Sequence, residues 1–193
     1  MYNMRGYGLT EDQQYLQQGR NFISKLDNSL AEARTLAREG DQLDRLNEEI
    51  NTVESNLSAY KNLVDRTVSV NQSLTQARNA MDEAAANYMN ACFTFLESQN
   101  NQMDAEIAQG AGQTAFTERH NKITWINNII DAGNELRVAN FKAQAKRDPA
   151  ALNNALEEFD ISGFMSDIRQ ITYLDRDQEA LNTVEEAAQQ YTN

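Results

Sequence analysis

Residues 43–67 read LDRLNEEINTVESNLSAYKNLVDRT, and this stretch decides the fold. Leu43, Leu46, Ile50, Val53, Leu57, Tyr60, Val64 and Thr67 alternate at spacings of three and four. That a/d rhythm predicts a helix with one narrow apolar seam, the pattern of coiled coils and slender bundles. Downstream, β-branched and short polar residues cluster at Thr67-Val68-Ser69-Val70-Asn71 and lower helix propensity. The stripe then resumes at Leu74, Ala77, Met81, Ala84, Tyr88, Ala91 and Phe95 with no Gly or Pro between. Residues 41 to about 108 are therefore expected to form one continuous or gently kinked rod of ~100 Å.

Outward from this rod the rest of the chain is also helical in pattern. Thr10-Glu11-Asp12-Gln13 reads as a capping box opening a helix. Tyr15, Gly19, Phe22, Leu26, Leu30, Ala33 and Ala37 carry its stripe to about Arg38. Gly40 reads as its stop and Asp41 as the next cap. Gly110-Ala111-Gly112 forms a turn, and Thr114 or Thr117 opens a helix through Phe116, Ile123, Ile126, Ile129, Ile130 and Leu136 to Arg147. Asp148-Pro149 restarts the chain, Ser162-Gly163 is a weak break, and Leu174-Asp175-Arg176-Asp177 a turn.

Composition agrees with an all-α fold. One Pro and eight Gly in 193 residues is too little punctuation for a sandwich, barrel or doubly wound sheet. Seventeen basic against 29 acidic residues, a net charge of −12, argue against a nucleic-acid partner. One Cys excludes an intramolecular disulfide, and one His excludes most zinc sites and His-based triads. No apolar run is long enough to cross a bilayer. His120 and Cys92 read as a surface and a core residue. Adjacent pairs such as Glu48-Glu49 and Glu157-Glu158 point about 100° apart on a helix and read as solvated faces. Neither a catalytic residue, a metal site nor a cofactor is expected.

Matching helix lengths gives an elongated, antiparallel architecture of two stacked four-helix modules. Residues 10–70 and 149–193 are expected to form one module, and the hairpin 71–148 the core of the other, incomplete one. That hairpin then needs cover, and a second copy burying Phe95, Ile123, Ile126 and Ile130 supplies it. A homodimer is the expected assembly. The helical pattern runs to Gln190-Tyr191 without a capping signal, as expected of a piece of a longer chain.

Arg5-Gly6-Tyr7 followed by Thr10-Glu11-Asp12-Gln13-Gln14-Tyr15-Leu16 resembles the first periplasmic helix of bacterial chemoreceptors and related sensor kinases. The run Asn134 to Phe141, followed by Ala145-Lys146-Arg147-Asp148-Pro149, is similar to the helical bimodular ligand-binding class of methyl-accepting chemotaxis receptors. The resemblance implies one extracytoplasmic sensor domain over 1–193, in the periplasmic part of an inner-membrane receptor anchored by helices outside this sequence. It also implies a small carboxylate ligand, such as acetate or a tricarboxylic-acid intermediate, gripped by arginines. Arg5, marked by its neighbour Tyr7, matches the first-helix arginine, and Arg137 is its counterpart on the fourth helix. Counting helical rises places Asn134 and Asn140 near their level, with Arg78 on a facing helix. Three arginines at one level suit a dicarboxylate through bidentate hydrogen bonds. The competing reading makes each a solvated residue paired with Glu135, Asp82 or Glu83. In that case the chain is a structural or interaction coiled coil without a ligand. A lipid-interface helix protein is a third class, disfavoured because the polar faces are not Lys-rich.

Overall fold

The computed structural model describes residues 2–39 and 44–193. Gly40, Asp41 and Leu43, read above as helix stop, cap and first stripe residue, lie outside the described residues. Among those described, 91% are helical and none is in a strand, which is the all-α class. Seven helices follow one another: α1 Tyr2–Thr10, α2 Gln13–Glu39, α3 Asp44–Ala108, α4 Gln113–Lys146, α5 Ala150–Glu158, α6 Ser162–Gln170 and α7 Asp175–Thr192. The β-branched cluster at 67–71 does not interrupt α3, whose 65 residues form one helix. Propensity is a weak prior over so few positions.

The chain divides into two compact units, one up to Ala77 and one from Arg78 onward. In the first, α2 and the first part of α3 are antiparallel. Ion-pair partners climb α2 from Arg20 to Asp27 to Arg34 while they descend α3 from Asp65 to Lys61 to Glu54. Such pairs sit largely in solvent and hold register more than they stabilise. The seam beneath them is apolar but only half covered. Ile50, Leu57 and Val64 keep 4%, 7% and 7% of their surface, whereas Leu46 and Val53, the alternate members of the same stripe, keep 40% and 41%. On α2, Phe22 and Leu26 stand exposed beside them.

α1 supplies what further cover there is. It turns back at Glu11-Asp12 and packs on α2, dropping Tyr7 onto Leu16 and Val64. The turn corrects the capping-box reading. The Asp12 carboxylate accepts from the Gln14 N–H at 2.8 Å and caps α2, while the Thr10 hydroxyl donates to the Gly6 carbonyl and accepts from the Asp12 N–H. An open apolar groove of about 690 Å³ begins at Tyr2 and Met4 and runs between Phe22, Leu26, Val53 and Leu57.

The second unit is a closed bundle. Tyr88, Cys92 and Phe95 of α3, Ile126, Ile129 and Leu136 of α4, Met165 and Ile168 of α6, and Leu181 and Val184 of α7 form one buried cluster. Gly133 permits the closest approach, since a Cβ there would lie 2.2 Å from the Tyr88 ring. The Tyr88 hydroxyl donates to the Ile129 carbonyl at 2.5 Å, and Tyr191 packs against the same ring. Burial raises the pKa of both phenols, with neighbouring Cys92 adding to the effect at Tyr88 and Asp82 at Tyr191.

Two expectations are overturned here. Residues 149–193 were assigned to the module of 10–70, but α6 and α7 belong to the core of α4 and the later part of α3. Helix length could not decide this, because α6 and α7 suit either hairpin. In consequence Phe95, Ile126 and Ile130 are buried within the chain and Ile123 is partly covered, so this face needs no second copy. The helix break also differs: α5 ends before Phe159, and α6 opens at Ser162, whose N–H donates to the Asp160 carboxylate at 2.9 Å. The Asp148 carboxylate accepts from the Ala150 N–H, as its place before Pro149 suggested.

Candidate functional site

The core of the second unit keeps strict heptad spacing on both long helices, and at one end the residues at core positions turn polar. On α3 the rows Ala85-Cys92 and Tyr88-Phe95 continue, seven residues on, into Gln99 and Gln102. On α4 the rows Ile126-Gly133 and Ile129-Leu136 run back, seven residues earlier, into Arg119 and Lys122. On α7 the row Tyr191-Val184 runs back into Asp177. Gln99, Arg119, Lys122 and Asp177 are all buried.

Most of this layer is mutually satisfied. Arg119 pairs with Glu106 at 2.6 Å and donates to the Gln99 side-chain oxygen. Asp177, 2% exposed, accepts from Ser98 and Gln102 at 2.9 Å each. Burial works against the Asp177 carboxylate. Hydrogen bonds from Gln102 and Ser98, the nearby Gln99 amide and the charge of Arg176 outweigh it and hold its pKa below the ordinary value.

One buried side-chain atom of this layer has no hydrogen-bond partner. Gln99 Nε2 is buried and makes no hydrogen bond of ordinary length, although it lies close enough to Asp177 to favour the ionised carboxylate. Lys122 is 6% exposed and has no carboxylate within ion-pair distance among the described residues. Burial lowers its pKa and Arg119 lowers it further, against weaker support from Asp177, Glu118 and Glu106.

The residues singled out from sequence lie elsewhere. Arg5 and Tyr7 belong to the first unit. Tyr7 is core there, and Arg5 is exposed at the rim of a cleft of about 210 Å³ with Met4, Tyr60 and Leu63. In the second unit Arg78 is half-buried, and Asn140 is buried and accepts from Gln144 Nε2 at 3.0 Å. Asn134 and Arg137 are exposed. Asn134 borders an open cleft with Asp131, Glu135 and Lys142, while Arg137 lies 5.8 Å from the Phe141 ring centroid and near enough to Tyr191 to favour its phenolate. Asn134 continues the Ile123–Ile130 line in sequence, yet at this level Gly133 and Leu136 face the core and Asn134 does not.

Arg119, Lys122, Gln99 and Asp177 were missed by following only apolar residues. The signal was the heptad itself, extended through the polar positions. Cys92 is buried, and burial pushes its thiol up to about 12, which disfavours the thiolate. No cluster of three metal-ligating side chains occurs among the described residues. No described helix is long and apolar enough to cross a membrane. Comparison with protein-family models, curated proteins and solved structures yields no match.

Proposed function

We propose that this chain is a ligand-sensing module that binds a small carboxylate between helices of its second unit. In this reading it is the extracytoplasmic part of a bacterial receptor of the helical bimodular kind. It performs no catalysis, and a bound ligand biases one packing of the helices over another. The observation that carries the proposal is Lys122, 6% exposed and without an ion-pair partner among the described residues, in the same polar layer as Gln99, whose Nε2 makes no hydrogen bond. A carboxylate at Lys122 supplies the countercharge that no described side chain provides. The all-helical fold and the resemblance at Arg5-Gly6-Tyr7 and Asn134–Pro149 support the receptor assignment. A second reading, a structural or interaction coiled coil, is favoured by the exposed row of Phe22, Leu26, Leu46 and Val53.

Thermal melts with acetate, succinate, malate, citrate and uncharged controls test the proposal. Carboxylates alone are expected to raise the melting temperature, by about 2.7 kcal/mol of stabilisation at a hundredfold excess over Kd. Lys122→Met keeps the stem's packing and removes the desolvated charge. It is expected to stabilise the unliganded protein by about 1 kcal/mol or more and to abolish the carboxylate response. A response that survives Lys122→Met contradicts this site. No response to any carboxylate in the unsubstituted chain contradicts the function.

A further inference from the structure

We propose that α1 is a hinged strap, folded back on α2 here and able to straighten through Glu11 into one continuous helix with it. The folded-back state is held by close packing at two glycines. A Cβ on Gly6 would lie 2.9 Å from the Tyr15 ring, and one on Gly19 would lie 2.5 Å from Met4 Cε. Tyr2 meets Tyr15 edge to face at 6.4 Å, and Tyr7 is buried over Leu16 and Val64. α1 has nine residues, two of them glycine, with no acidic residue in its first turn and no basic residue in its last. So short a helix does not persist without its packing.

The turn itself is strained. Glu11 adopts φ +61°, a left-handed conformation that a residue with a side chain rarely takes. Neither Gly nor Pro occurs between Leu9 and Gln18, so no residue prevents a right-handed helix from passing through the junction. Straightening relieves Glu11 and replaces the side-chain cap at Asp12 with main-chain helical bonds. It lifts Tyr7 off its seat and lengthens the open apolar face of the first unit. Apolar packing on one side and backbone geometry on the other oppose each other, which is the makeup of a two-state element. This inference stands apart from the carboxylate site, which lies in the other unit.

Spin labels at Tyr2→Cys and Asn21→Cys read the strap directly, since Cys92 is buried and stays unlabelled. Folded back, the two labels sit side by side; straightened, their backbones are ~28 Å apart at 1.5 Å per residue. Glu11→Gly removes the left-handed penalty and is expected to raise the ratio of short to long distances roughly fivefold or more. Gly6→Ala sets a Cβ against the Tyr15 ring and is expected to move the population to the long distance. A chain with only the long distance overturns the proposal. So does a short distance that neither substitution changes.

Discussion

The two units are built on one helix and one heptad rhythm, yet they use it differently. Along α3 the row Ile50-Leu57-Val64 is buried against α2 while Leu46 and Val53 stand open. Further along, Ala85-Cys92 and Tyr88-Phe95 are both buried, because α4, α6 and α7 surround them. An a/d stripe specifies two neighbouring faces, and an antiparallel hairpin covers only one. The number of helices a segment can recruit therefore decides how much of its stripe stabilises the fold. The closed unit also tolerates a buried polar layer at one end, where the open unit has an apolar groove.

Core truncation breaks this comparison most strongly. Leu181→Ala and Ile129→Ala remove fully buried side chains and are expected to cost ~2–5 kcal/mol each in denaturant unfolding. Leu26→Ala and Val53→Ala remove side chains that keep about two-fifths of their surface, and are expected to cost less than ~1 kcal/mol. Equal costs in the two units would mean that the open face is covered in solution.

Acid sharpens the contrast with a smaller effect. Asp177 has its pKa lowered in the folded state, so its stabilising contribution is complete above the ordinary carboxylate value near 3.9 and fades as pH falls through the folded value. Unfolding midpoints measured between pH 6 and pH 3 should fall, and Asp177→Asn should flatten that fall. An unchanged slope in the variant would remove Asp177 from the account.

The helical class, the long uninterrupted α3 and the turns at Gly110-Gly112 and Asp148-Pro149 were legible from periodicity and capping chemistry alone. Which hairpin receives 149–193 was not, because short amphipathic helices fit either partner by length. The phase of α4 was misread for a related reason. Ile123, Ile126, Ile129 and Ile130 span two possible faces, and only Gly133 against Tyr88 settles which one is inward. Once that phase is fixed, Asn134 and Arg137 turn outward and Lys122 turns in. The fold-back of α1 was hidden too, since a left-handed Glu11 carries no signature in sequence.

Native-state hydrogen exchange along α3 tests the contrast most directly, because a single helix passes through both environments. Amides of residues 84–99 should exchange on the order of 100-fold or more slowly than those of residues 50–68, as expected where opening requires unpacking a closed core. Uniform protection from Ile50 to Gln99 would contradict the account, showing that the half-covered seam is as stable as the closed bundle.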